Sequence, residues 1–342
     1  MPDIRMTGAT HVGRVRRVNE DSYRLIPEAH TLVVCDGMGG HAAGEEASQR
    51  AVEVYSQYIL NREKLAASLP APDVEELDGN TVAPVLAIRL ANRSVFERAQ
   101  SQRSMRGMGT TLVSAQFHDG YVAIYHVGDS RAYRFSGNGL EQLTIDHSLL
   151  AELRAQGEIT AEQERDFPER NVITRALGTH PSVQVDVRTV ATQKGDWFLL
   201  CSDGLCGYIE DPQIQTVLAD SYPDADKAVH ALIDVANEAG GHDNVTVAIA
   251  VVESAGATDK AMEFSLTVPQ SSYEDSIAET KVLKELGLVD EVADDDDADT
   301  DRIKIVSQSQ ANVDTDDTRD ASRDLDRTDP ARPRRRGIWP WK

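Results

Sequence analysis

The chain has 342 residues, is 40% hydrophobic and 27% charged, and carries a formal net charge of −22. That length and composition suit one large or two small soluble domains. An acidic surplus of this size excludes a nucleic-acid binder, which needs a basic face; no apolar run approaches the roughly 18 residues that span a bilayer, and no signal-peptide core opens the chain.

In chain order, the apolar run 31–35 reads as a strand and ends in Asp36-Gly37-Met38-Gly39-Gly40-His41. Helical periodicity follows over 44–60 and again over 82–102, and the intervening 61–80, with Pro70, Pro72 and Gly79, is a loop. Runs 111–117 and 121–126 are strands joined at the hairpin turn His118-Asp119-Gly120, and 132–135 is a third strand before Ser136-Gly137-Asn138-Gly139. A short helix is expected over 149–156, strands over 197–201 and 245–252, and a helix over 224–239. Strands in hairpin succession with separate helices predict an α+β fold of antiparallel sheets with helices on their outer faces. Of Cys35, Cys201 and Cys206, two lie in strand-like runs and none has metal-ligand spacing, which predicts reduced thiols in a cytosolic protein.

Composition changes after residue 253. The remainder has 21 acidic and 13 basic residues, including the run Asp294–Asp297 and a terminal Arg334-Arg335-Arg336 followed by Trp339 and Trp341. The expected organisation is therefore a folded part over 1–253 and an acidic, mostly disordered tail over 254–342 with a basic and tryptophan-bearing end. A short helix is expected near 277–286.

Five stretches place an aspartate at or beside a turn at the end of an apolar run: Asn19-Glu20-Asp21, Asp36-Gly37, Gly128-Asp129-Ser130-Arg131, Ser202-Asp203-Gly204-Leu205 and Gly241-His242-Asp243-Asn244. One such motif alone is as easily an Asp-Gly turn holding nothing. Together they point to strand ends converging on hard cations, which take oxygen ligands. The residue set is Glu20, Asp21, Asp36, Asp129, Asp203 and Asp243.

Arg16-Arg17-Val18-Asn19-Glu20-Asp21, Asp36-Gly37-Met38-Gly39-Gly40-His41, Gly107-Met108-Gly109-Thr110-Thr111, Gly128-Asp129-Ser130-Arg131, Leu143-Thr144-Ile145-Asp146-His147-Ser148, Ile173-Thr174-Arg175-Ala176-Leu177-Gly178, Ser202-Asp203-Gly204-Leu205 and Gly241-His242-Asp243-Asn244 occur in this order between residues 8 and 253. In these stretches the chain resembles the type 2C metal-dependent protein phosphatases in their compact bacterial form. The resemblance implies a central sandwich of two antiparallel sheets flanked by helices, with a metal centre at one end. It also implies hydrolysis of phosphoserine and phosphothreonine by a water held between two Mn²⁺ or Mg²⁺ ions. Asp36 would bridge the ions, Asp203 and Asp243 would complete one shell, Glu20 and the Gly37 carbonyl the other, and Asp21 would act through coordinated water. A third ion would sit at Asp129 and Asp203. Arg16 would clamp the phosphate, and His41 would be the general acid for the leaving alkoxide. His147 and His242 are expected to be structural or to support the ligands from behind, Asp146 to cap the helix that follows or serve another structural role rather than touch metal, and Thr110, Thr111 and Arg131 to support strands. The segment 148–171 corresponds to the family's flap.

The implied partners are phosphorylated proteins, including a serine/threonine kinase. The expected state is a cytoplasmic monomer, with the basic and tryptophan end touching a membrane surface or an acidic partner. Two alternatives stand beside this reading: an inactive phosphoprotein-binding module, and a phosphatase dedicated to one sigma-factor regulator. The complete carboxylate set argues against the first; Arg16 and the intact Gly128–Arg131 motif argue against the second.

Overall fold

Strand β3 (Thr31–Met38) sends Val33 and Cys35 to one face and Leu32 and Val34 to the other, and all are fully buried. β10 (Trp197–Cys201) and β11 (Val245–Ser254) are likewise apolar on both faces: Leu199 and Ile249 look outward to helices, while Phe198, Leu200, Ala248 and Ala250 face the second sheet. Strands buried on both sides read as continuous apolar runs, which is why these were legible without alternation. The computed structural model describes residues 2–39, 42–65, 68–72, 74–160, 163, 167–169, 171–255 and 263–288.

The remaining strands are β1 (Asp3–His11), β2 (Asp21–Ile26), β4 (Gly109–Thr110), β5 (Leu112–His118), β6 (Tyr121–Val127), β7 (Arg131–Ser136), β8 (Gly139–Gln142), β9 (Val185–Ala191) and β12 (Ser265–Val268). One sheet has the order β1-β11-β10-β7-β8; the other runs β12-β9-β6-β5-β3-β2, with β4 paired to β3. Every pairing is antiparallel. Between the sheets, Phe117 meets Phe198 edge to face with centroids 5.4 Å apart. Helices α1 (Ala42–Leu65) and α2 (Gly79–Ser101) cover the second sheet, and α5 (Asp211–Ser221) and α6 (Ala225–Glu238) cover the first. Two short helices, α3 (Leu149–Ala155) and α4 (Asp203–Cys206), lie in connections, and α7 (Tyr273–Glu285) follows β12. The helix-flanked sandwich is the α+β architecture expected. Cys35, Cys201 and Cys206 are free thiols, and among the described residues no helix is long and apolar enough to cross a membrane.

One expectation needs correcting. The folded part does not end at residue 253, because β12 pairs with β9 and α7 packs on α2. Val268, Val282 and Leu283 are buried there, and Arg89 of α2, itself buried, donates from Nη2 to the Pro269 carbonyl at 2.7 Å. The compact unit extends over 1–292. These three buried side chains, with half-buried Phe264, Leu266 and Leu286 packed beside them, hold the addition within an otherwise polar segment. The expected disorder, the acidic run Asp294–Asp297 and the basic and tryptophan end lie outside the described residues.

Candidate metal centre

Strand register makes the first contact. Asp21 opens β2 and stands directly opposite Asp36 of β3. Like charges facing each other across a strand pair are destabilising unless something positive lies between them. Asp36 is held by its main chain: its N–H donates to Thr111 Oγ1 at 2.9 Å, and its carbonyl accepts from the Thr110 hydroxyl and the Thr111 N–H, both at 2.8 Å. Gly37 follows. A Cβ there would lie 2.0 Å from the Gly44 carbonyl oxygen and 2.6 Å from that of Glu20, so only glycine lets β3 pass between α1 and the Glu20 turn. The Gly37 N–H bonds the Glu20 carbonyl at 3.1 Å.

The other carboxylates come from neighbouring strand ends. Asp129 lies in the turn between β6 and β7, Asp203 begins α4 directly after β10, and Asp243 precedes β11. Asp203-Gly204 packs on the Asp243-Asn244 turn so tightly that a Cβ on Gly204 would meet the Asn244 carbonyl oxygen at 1.8 Å. The charges of Asp36 and Asp203 act on each other, and each feels the charge of further members of the set.

Burial, then repulsion, sets the protonation of this cluster. Asp21 is pushed up to about 7 by burial, with the Thr246 and Ser202 hydroxyls, each 2.7 Å from Oδ2, pulling it back and Asp203 and Asp243 pushing it further. Asp129 is pushed up to about 7 by burial and by Asp203 and Asp146. Asp36 rises well above the carboxylate range through burial and the charges of Asp21, Asp203 and Asp129; Asp203 rises for the same kinds of reason, with Asp243 its main repelling neighbour. Asp21 Oδ1 and Asp129 Oδ1 are buried without a hydrogen-bond partner. Orphaned carboxylate oxygens beside raised carboxyls are what an all-oxygen divalent-cation site leaves when only its protein half is considered. The donor set fits Mg²⁺ or Mn²⁺.

Arg16 reaches the rim of the cluster, where Nη2 donates to Asp243 Oδ2 at 2.8 Å and the side chain stays 48% exposed. The structure therefore brings together Arg16, Glu20, Asp21, Asp36, Gly37, Asp129, Asp203 and Asp243, while His41 lies outside the described residues. Asp146 does not cap α3. Ser148 is that N-cap, its Oγ accepting from Ala151 N–H, and Asp146 forms a two-pronged pair with Arg131 at 2.6–3.1 Å. Its planar carboxylate matches the guanidinium fork better than a helix end. His242 stands against the Tyr208 ring, and His147 joins a network described below.

Sequence reasoning missed the residues that hold the ligands. Buried Asn244 accepts the Glu20 N–H on Oδ1 at 2.7 Å and donates from Nδ2 to the Val12 and Val18 carbonyls, stitching the Arg16–Asp21 turn to the β11 start. Ser202 and Thr246 hold Asp21. Their only sequence signal is a hydroxyl placed next to apolar strand residues.

The family model described as protein phosphatase 2C matches residues 7–249. The chain belongs to the protein phosphatase 2C family. It is 38% identical over 241 residues to the serine/threonine phosphatase Stp of Listeria monocytogenes, covering 70% of this chain and 92% of that protein. It is 35% identical over 250 residues to the serine/threonine protein phosphatase PstP of Mycobacterium tuberculosis, covering 73% of this chain and 45% of that protein. Among solved structures, the PstP catalytic domain in complex with two manganese ions aligns with a TM-score of 0.62 at 33% identity, over 73% of this chain and 99% of that one. For this protein phosphatase 2C chain, β12 and α7 lie beyond the segment the family model matches.

Proposed function

We propose that the carboxylate cluster at the strand ends is the active site of this metal-dependent serine/threonine protein phosphatase. The observation that carries the assignment is a set of carboxyls, Asp21 and Asp129 buried and Asp36 and Asp203 half-buried, with no ion-pair partner among the described residues. Asp36 would be shared between two cations, Asp203 and Asp243 would serve one, and Glu20 with the Gly37 carbonyl the other. Asp21 lies behind them, held by Ser202 and Thr246, and Asp129 with Asp203 would take a third. Bound Mn²⁺ or Mg²⁺ supplies Lewis acidity towards phosphoryl oxygens and makes water a nucleophile near neutral pH.

The chain's own residues do the rest. Arg16 is aimed by its bond to Asp243 and keeps exposed N–H groups for phosphate oxygens, a planar fork that lysine cannot reproduce. His41 stands between the glycine turn after Asp36 and the start of α1 in sequence, and donates the proton that the serine or threonine alkoxide needs on leaving. Asn244 fixes the Glu20 backbone, and Thr110 and Thr111 fix Asp36, so the ligands are set before substrate arrives.

The substrates are phosphorylated proteins, a serine/threonine kinase among them, met by a cytoplasmic monomer. The basic and tryptophan end of the tail suits an anionic membrane surface, and co-sedimentation of full-length and 1–331 proteins with anionic liposomes tests it: equal recovery in the supernatant at low salt rejects that contact. For the site, turnover of a phosphothreonine peptide and of p-nitrophenyl phosphate should require Mn²⁺ and vanish in EDTA. Arg16→Ala should raise KM for the peptide with less effect on kcat. His41→Ala should lower kcat on the peptide by roughly 10²-fold and far less on p-nitrophenyl phosphate, whose leaving group hardly needs a proton. Equal losses on both substrates would remove His41 from acid catalysis.

A further inference from the structure

His147 grips the glycine before Asp129 twice. Its backbone N–H donates to the Gly128 carbonyl at 3.0 Å, and its Nδ1 accepts the Gly128 N–H at 3.0 Å. Gly128 has φ of +109°, and a Cβ there would lie 2.6 Å from Thr111 Cγ2, so the turn carrying Asp129 is tightly determined. With Nδ1 accepting, the ring proton is assigned to Nε2. That nitrogen faces Asp186 Oδ2 at 3.1 Å. The other Asp186 oxygen accepts from Arg175 Nη1 at 2.7 Å.

The same three residues sit at the foot of the 148–174 segment. The Thr174 N–H bonds the His147 carbonyl, the Leu149 N–H bonds the Val172 carbonyl, both at 2.9 Å, and Ser148 bridges Ile173. Arg175 follows directly. Asp186 is anchored on both flanks of β9, opposite His126 of β6 and opposite Thr267 of β12. His126 stacks on the His147 ring with centroids 4.6 Å apart. Burial works against the Asp186 charge, yet its bonds and proximity to His147, His126 and Arg175 hold the carboxyl below its ordinary range. His126, His147 and Asp186 bring three ligand-type atoms within 4.8 Å. Arg175 Nη1, 3.0 Å from His147 Nε2 and bonded to Asp186, occupies that space with a guanidinium, so the group works as a hydrogen-bonded clamp and not as a second cation site.

We propose that Asp186, acting through His147 and Arg175, is a positioning residue that fixes the Gly128-Asp129 turn and the foot of the 148–174 segment, and so sets how tightly the Asp129–Asp203 position holds its cation. This rests on reading Asp129 as a cation ligand. Residues that orient ligands from behind typically change affinity by roughly 10–100-fold when removed. The test is Mn²⁺ calorimetry on the full-length protein, with melting temperatures and peptide kinetics across Mn²⁺ concentration. The proteins compared are the wild type, Asp129→Ala, Asp186→Asn, His147→Ala and His147→Asn. Asp129→Ala should bind one ion fewer. Asp186→Asn and His147→Ala should keep every ion and bind the one that Asp129→Ala loses about 10-fold more weakly, with kcat recovering at high Mn²⁺. His147→Asn should weaken it less, because its Oδ1 can replace Nδ1 as acceptor for Gly128. Asp129→Ala binding as many ions as wild type would overturn the reading of Asp129. Loss of an ion in Asp129→Ala with wild-type Mn²⁺ affinity in Asp186→Asn would overturn the clamp; should Asp186→Asn melt too early to be measured, wild-type affinity in His147→Ala overturns it instead.

Discussion

Arg134 and Asp196 meet at 2.7 Å on the β7 side of the sandwich, with the carboxylate only 5% exposed. Arg131 and Asp146 meet at 2.6 Å nearby. At the strand ends beside them, Asp21 and Asp129 are buried and Asp36 and Asp203 half-buried, with no such partner among the described residues, and desolvation and mutual repulsion push each of them up. In the first region arginine completes the charge within the chain. In the second the chain supplies only the negative half. A protein that can set an arginine against buried Asp196 can do so elsewhere, so the uncompensated carboxylates at the strand ends point to ions from solution.

Breaking the second region should abolish chemistry. Asp36→Ala and Asp203→Ala should each lower kcat by about 10³-fold or more, since each removes an oxygen that more than one cation would share. Mn²⁺-saturated peptide assays measure this, and full activity of either variant contradicts the assignment. Removing the added β12 and α7 should act on stability instead. A 1–255 protein uncovers the surfaces that Val268, Val282 and Leu283 bury and strands Arg89, so its urea midpoint should fall by an amount equivalent to about 4 kcal/mol. An unchanged midpoint would mean that the addition is not part of the folded unit. Breaking the first region is expected to be milder. Arg134→Met leaves Asp196 buried and unpaired and should cost roughly 3 kcal/mol, with the Mn²⁺ requirement unchanged. Asp36→Asn should do the reverse, raising the melting temperature in EDTA while removing activity.

Much of this contrast was legible from residues alone. Asp36, Asp129 and Asp203 follow apolar runs and Asp243 stands just before one, and runs buried on both faces are conspicuous. The strands β1, β2 and β9 were not, because Asp3–His11 and Asp21–Ile26 mix polar and apolar residues without a long run, and Val185–Ala191 alternates with Asp186, Arg188 and Thr189. The helix Asp211–Ser221 carries only Ile214 and Leu218 as buried large apolar residues, too few to show a period. Asp146 could not be separated from an N-cap, because its partner Arg131 lies 15 residues away. The clamp at Asp186 was invisible for the same reason: it joins residues from three separated stretches, and only the β6–β9–β12 register brings them together.

The most direct measurement of the central claim is the melting temperature at pH 5 and pH 7.5, each in EDTA and in Mn²⁺. Asp21 and Asp129 titrate near 7 when folded, above the ordinary carboxylate value of the unfolded chain. The folded state therefore binds more protons between about pH 4 and 7, and the stability of the metal-free protein falls as pH rises through that window. Cations that replace those protons should restore it. The account predicts a lower melting temperature at pH 7.5 than at pH 5 in EDTA, and a Mn²⁺-induced rise that is larger at pH 7.5 and much reduced in Asp36→Ala. A Mn²⁺ shift of equal size at both pH values, or one of wild-type size in Asp36→Ala, would contradict it.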